Sequence, residues 1–143
     1  MMARVRQRDT APEMLLRRAM HRRGYRYRLN DRSLPGSPDI VLRRHRTCIF
    51  VHGCFWHRHD CRKSTVPKEN AEFWRQKFEA NVARDIRKQA QLLAMGYRVI
   101  TVWECSLRGR TALPLEEVVD KIGDWLKTEE VSAEIGTSKR SEP

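Results

Sequence analysis

The 143-residue sequence predicts a single α/β domain built on a mixed central sheet flanked by helices. Three observations lead there. Apolar, β-branched or aromatic runs stand at 38–42, 47–52 and 97–104. Only the short basic turn Arg43–Arg46 divides the first two, which makes them an antiparallel hairpin. A long stretch of helical spacing precedes the third, and such a crossover returns a strand parallel to its predecessor.

Residues 1–9 are basic and expected to be loose. Thr10-Ala11-Pro12-Glu13 starts a helix: Thr10 caps, Pro12 suits the first turn, and Glu13 closes a capping box. Its apolar face carries Met14, Leu15, Ala19 and Met20, and Gly24 stops it. Tyr25–Leu29 alternates aromatic and basic residues, a half-exposed strand, and Asn30–Ser37 is turn-rich. Pro38–Leu42 is a strand with Asp39 at its mouth, and Thr47–His52 is its hairpin partner. The longest helix covers Glu72–Met95, with Trp74, Phe78, Val82, Ile86, Ala90 and Leu93 as its buried stripe and Gly96 as its end. Val99–Trp103 forms a strong strand, and Cys105 stands just beyond it. A last helix begun near Pro114 buries Val118, Val119, Ile122, Trp125 and Leu126. From Thr128 the chain is polar and weakly patterned, so the domain is read as 1–127 and residues 128–143 as a mobile tail. The expected order is α-β-β-β-α-β-α.

Composition narrows the partner. Lys plus Arg number 29 against 18 Asp plus Glu, a net charge of +11. Such self-repulsion is best tolerated by a protein that binds a polyanion, which makes nucleic acid the leading partner and a merely solvated basic surface the alternative. The first residues lack an apolar leader and no run reaches membrane-spanning length, so a cytoplasmic location is expected. Thiols stay reduced there, and four cysteines then suggest metal rather than disulfides.

Residues 48–61 concentrate the chemistry. After the strand come four candidate soft-metal ligands, Cys54, His57, His59 and Cys61. Cys54, His59, Cys61 and Cys105 would make a tetrahedral set of three sulfurs and one nitrogen, suited to zinc with no open position. His57 is a competing nitrogen, Cys48 reads as a buried inert thiol, and unliganded residues remain the alternative because the spacing is not a common finger pattern. Phe55 and Trp56 lie between the ligands. Aromatics held this way can wedge between bases, although burial in the core is the other reading. Asp39 is the best carboxylate for a hard cation that would polarise a phosphodiester, against the alternative of a turn aspartate capping a loop. His52 ends a strand, where a structural role is commoner than a catalytic one.

Three blocks in order carry a resemblance: Ser33-Leu34-Pro35-Gly36-Ser37-Pro38-Asp39, His52-Gly53-Cys54-Phe55-Trp56-His57 and Val102-Trp103-Glu104-Cys105-Ser106-Leu107-Arg108-Gly109. The chain from Arg8-Asp9-Thr10 to about Gly109 resembles the very-short-patch mismatch-repair endonucleases. The resemblance implies a restriction-endonuclease-like fold. It also implies nicking of one DNA strand 5′ to the mispaired thymine of a T·G mismatch left by deamination of 5-methylcytosine. It assigns magnesium to Asp39 and the backbone carbonyl of Val51, a position where the family often has threonine. His57 matches the histidine that helps activate water, and His52 and Glu13 match supporting active-site residues. Cys54, His59, Cys61 and Cys105 match structural zinc ligands, and Phe55 and Trp56 match aromatics intercalated beside the mismatch. The expectation is therefore a magnesium-dependent, zinc-stabilised enzyme, monomeric, acting on double-stranded DNA, with a mismatch-repair protein as a possible partner. The alternatives are a sequence-specific nuclease without mismatch preference and a zinc-stabilised DNA-binding module without catalysis.

Overall fold

The computed structural model describes residues 10–54, 68–109 and 112–136. Thr10 opens α1 (Ala11–Arg22), its hydroxyl accepting from the Glu13 N–H at 3.4 Å. A two-residue strand β1 (Arg28–Leu29) follows, then β2 (Ile40–Leu42) and β3 (Thr47–His52). The long helix α2 (Ala71–Ala94) leads to β4 (Arg98–Trp103), then α3 (Leu115–Leu126) and β5 (Ser132–Ile135). The five strands form one sheet in the order β1-β2-β3-β4-β5. The first three are antiparallel neighbours, whereas β4 runs parallel to β3 and β5 parallel to β4. The mixed sheet and the parallel return of β4 are as the sequence predicts. No helix among the described residues is long and apolar enough to cross a membrane.

Strand alternation gives the sheet two apolar faces. Ile40, Leu42, Ile49, Ile100 and Val102 pack against Leu16 and Met20 of α1 and Val118, Val119, Ile122 and Trp125 of α3. On the opposite face Val41, Cys48, Phe50 and Val99 meet Leu92 of α2 and Leu34 of the loop before β2. Helices α1 and α2 both end at glycines of positive φ, Gly24 and Gly96. In each case the glycine N–H and the next N–H fold back onto carbonyls of the last turn: Gly24 to His21 and Tyr25 to Met20, Gly96 to Leu93 and Tyr97 to Leu92.

Several elements differ from expectation, for identifiable reasons. On α1 it is Leu16 that is buried, with Glu13, Ala19 and Met20, whereas Leu15 is exposed. The strand expected over Tyr25–Leu29 shrinks to Arg28–Leu29, since β1 pairs only with the two residues facing it on β2. The expected stripe of α2 is not a single face. Its i, i+4 steps overshoot each turn by about 40°, so by Ile86 the row has rotated roughly 80° away from Phe78. Phe78 and Leu92 are buried, and Ile86 is 65% exposed.

The segment expected as a mobile tail contributes β5. Its SAEI sequence has one core residue, Ile135, and too little length for a periodic signal. Tertiary contacts hold it. The Val99 N–H donates to the Val131 carbonyl at 2.9 Å, and the Trp103 indole N–H donates to Glu134 Oε1 at 2.6 Å. Arg98 does most: its guanidinium donates to the carbonyls of Trp125, Leu126, Thr128 and Glu130 at 3.0–3.1 Å while lying 4.2 Å over the Trp125 ring. One cation thus closes the carboxyl end of α3 and ties the link to β5 onto β4. Replacing Arg98→Ala should lower unfolding stability by about 2 kcal/mol, because several carbonyls lose a charged donor together. Arg98→Lys should recover only part of it, since an ammonium lacks the planar fork. Urea denaturation of the three proteins checks this; equal midpoints would contradict it.

Candidate active site

The site grows from the point where the β2–β3 ladder stops. The last rungs pair Leu42 with Thr47, Val41 with Cys48 and Ile40 with Ile49. Val51 lies beyond them, and its N–H donates to the Asp39 carboxylate, Oδ2, at 2.6 Å. The backbone of Asp39 is held in turn, its carbonyl accepting from the Asn30 N–H at 3.0 Å. Asp39 is therefore fixed through both backbone and side chain at the mouth of β2, and its carboxylate sits against β3 rather than in a capping turn.

Glu13 supplies the second acid. Its backbone caps α1 as expected, but its side chain is buried, with Arg17 Nη1 at 3.5 Å and the Asp39 carboxyl as a hydrogen-bond partner. The residues alone explained Glu13 as a helix cap and the resemblance made it a supporting active-site residue; the fold adds a carboxyl pair spanning α1 and β2. Burial above all, and then the neighbouring Glu13 acid, push the Asp39 pKa up to about 8, although the Val51 N–H favours the anion. Without a cation, then, the fold holds this acid protonated at neutral pH. Two carboxyl groups at one desolvated point form a donor set that suits a hard divalent cation, whose charge would relieve the cost.

A cleft of about 950 Å³ opens above Asp39. Its floor is Asp39, Phe50, Val51 and His52. His52 is packed between the rings of Phe50 and Trp103, at centroid distances of 5.5 and 5.4 Å. One wall is the loop 30–37, pinned by Asp31 Oδ1, which accepts from the Ser33 N–H at 3.0 Å and from its hydroxyl. Gly36, at φ +78°, lets that loop close in: an added Cβ would lie 3.2 Å from Lys88 Cβ and from the Phe50 ring. The other wall is α2, with Arg84, Asp85 and Lys88. Sequence reasoning missed this wall, because attention to the apolar stripe passed over Arg84 and Lys88, one helical turn apart on the polar side.

The cysteines follow from strand register. In the parallel β3–β4 pair His52 faces Trp103, so Cys54 and Cys105 each stand two residues beyond the same rung. Both are buried in one cluster with Trp103. The expectation that a sequence-distant Cys105 meets Cys54 at a strand end agrees with this placement. His59 and Cys61, the other expected ligands, lie outside the described residues, as do His57, Phe55 and Trp56. Among the described residues no three ligand side chains gather for a metal. Two level, buried thiols nevertheless fit one half of a soft-metal site. Cys48 is apart from them, its thiol pushed up to about 12 by burial, in keeping with an inert role.

Comparison with known proteins bears on this arrangement. Residues 1–63 match the family model of the DNA mismatch endonuclease Vsr. The chain is 45% identical over 130 residues to the DNA mismatch endonuclease Vsr of Escherichia coli, covering 91% of this chain and 83% of that protein. It is 50% identical over 113 residues to the type II nicking enzyme V.XorIIP of Xanthomonas oryzae, 79% of this chain and 83% of the relative. A third relative, the type II nicking enzyme V.NmeAIP of Neisseria meningitidis, is 43% identical over 109 residues, 76% of this chain and 78% of that one.

The raised Asp39 pKa has a stability consequence of definite sign. Between about pH 4 and pH 8 the folded chain keeps a proton that the unfolded chain has released. The stability carried by this group is thus complete below the ordinary aspartate value and is lost as pH rises through about 8. In the absence of divalent cation, Asp39→Asn should be the more stable protein at pH 8 by about 2 kcal/mol or more, with the difference closing below about pH 5. Thermal melts of both proteins across pH test this; a gap independent of pH would contradict the buried acid.

Proposed function

Because the chain belongs to the Vsr DNA mismatch endonuclease family and is a DNA nicking endonuclease, we propose that it nicks DNA 5′ to the mispaired thymine of a T·G mismatch, with magnesium at Asp39 and a structural zinc. The observation that carries the chemistry is the half-buried Asp39 carboxyl, anchored by the Val51 N–H and paired with Glu13 at the floor of a cleft walled by Arg84 and Lys88. A carboxyl pair held out of water at the floor of a cleft makes sense as one half of a site completed by a cation. Asp39 and the Val51 carbonyl would hold magnesium, which supplies the charge that polarises the scissile phosphate. Cationic walls position the strand, and the Asp39–Val51 hydrogen bond fixes the acid so that little reorganisation is needed.

His57 is proposed to help activate water, with His52 supporting it from the floor. Phe55 and Trp56 are proposed to enter the base stack beside the mismatch, where a weakly stacked wobble pair is cheaper to deform than a matched one. Cys54, Cys105, His59 and Cys61 would hold zinc and thereby order the segment carrying those groups. Cytoplasmic location, a monomeric state and a mismatch-repair protein as partner belong to the same reading.

A second reading has its own support, since relatives such as V.XorIIP are named as type II nicking enzymes. Nicking of matched and T·G duplexes, with and without magnesium, separates the two. Magnesium-dependent nicking confined to the T·G duplex is expected, and Asp39→Asn should abolish it while leaving binding intact. Equal nicking of matched duplex would favour the second reading, and nicking retained in the Asn variant would remove Asp39 from the chemistry.

Val51 packs its side chain against the α1–α3 core, which supports the proposal that its carbonyl, rather than its side chain, faces the metal. Val51→Thr should then alter the nicking rate by only a few-fold, roughly 1 kcal/mol or less in activation free energy. A gain of about a hundredfold would show that a hydroxyl is needed there.

For zinc, elemental analysis should find about one ion per chain, and Cys61→Ser should lose it together with stability. Unchanged melting of a metal-free protein would exclude a structural zinc.

A further inference from the structure

Many of the described arginines are already engaged by the fold. Arg17, Arg22, Arg23, Arg75 and Arg108 lie within 4 Å of carboxylates, and Arg26, Arg46 and Arg98 donate to backbone carbonyls. Arg84 donates to the Asn81 side-chain oxygen, Arg18 and Arg87 stand exposed on α1 and α2, and a further exposed set, Arg28, Arg32, Arg43 and Arg44, lies on the β1–β2–β3 side of the cleft. They are also neighbours. Arg28 and Arg43 both act on the Asp31 carboxylate, which its hydrogen bonds from Ser33 already hold below the usual range. Arg32 is the next residue and lines the cleft. Arg28 pairs across the ladder with Val41, whose side chain packs on the α2 side, so Arg28 leaves the sheet on the cleft side as well.

We propose that Arg32, Arg28, Arg43 and Arg44 form a phosphate track that carries the duplex flanking the nick out of the cleft along the β1 edge. The proposal rests on the reading of the cleft as the DNA site. A single acid, Asp31, offsets four cations, and an edge of that charge fits the backbone of a polyanion rather than an acidic peptide of scattered charge. Its reach is suited to duplex DNA. Arg43 stands four residues from Asp39 along the chain, roughly 13 Å in extended strand geometry. That is the rise of about four base pairs at 3.4 Å each. The track contacts no bases, so it adds affinity and orientation without adding sequence preference.

The test is the salt dependence of binding to a duplex, measured without magnesium so that no nicking intervenes. Arg28→Ala with Arg43→Ala should reduce the slope of log K against log salt by about 1.8, and affinity at 0.1 M salt by about tenfold or more. Lys121→Ala with Lys127→Ala, which removes equal charge from α3 and its C-terminal cap on the other sheet face, should leave the slope unchanged. Shortening the duplex on one flank only should abolish the difference between the arginine variant and the parent. An unchanged slope in the arginine variant, or an equal fall in the lysine control, overturns the track. If the parent chain fails to bind duplex at all, the cleft reading itself falls instead.

Discussion

Six consecutive parallel rungs between β3 and β4, from Thr47–Arg98 to His52–Trp103, set the position of nearly everything else. Parallel pairing needs a crossover, and α2 supplies it while becoming a wall of the cleft. The same register determines which side chains face α1 and α3 and which face α2. It sets Val51 at the depth where its N–H meets Asp39, and it brings Cys54 level with Cys105. A slip of one residue would exchange the two faces and separate the thiols together. The acid site and the paired cysteines are thus two outcomes of one hydrogen-bonding pattern.

The basic composition has more than one physical origin. Arg98 and Arg46 each close the carboxyl end of a helix and lie over an aromatic ring, Trp125 and Tyr97 respectively. Arg23 joins α1 to α3 through Glu116 and Asp120. Such groups add to the net charge of +11 without presenting it to a ligand. Charge counted from sequence therefore identifies the class of partner, whereas its location requires knowing which cations the fold has already engaged.

What the sequence made legible follows from range. The hairpin, the parallel strand and the glycine stops at Gly24 and Gly96 are written in contiguous residues, and the structure repeats them. Asp39 was legible as a carboxylate at a strand mouth, because Pro38 and the apolar run after it mark that mouth. Its partnership with Glu13 was not legible from the residues themselves, since 26 positions separate them and the helix cap already explained Glu13; only the family resemblance placed Glu13 near the active site. The α2 stripe failed because i, i+4 repetition drifts around a helix. Strand β5 escaped notice because Arg98, remote in sequence, provides much of what holds it. The expected roles of Phe55, Trp56, His57, His59 and Cys61 concern residues outside those described, and the family resemblance is what supports them.

The protonated state of Asp39 bears on how such a protein moves along undamaged DNA. Most of its encounters are with ordinary duplex, where tight contact at the floor of the cleft serves no purpose, yet repulsion there would eject the strand. A neutral acid is indifferent to a passing phosphate. On the proposed reading of the cleft as the DNA site, an Asp39 carboxyl held neutral adds no repulsion of its own, so the surrounding arginines and lysines govern how long a passing strand stays.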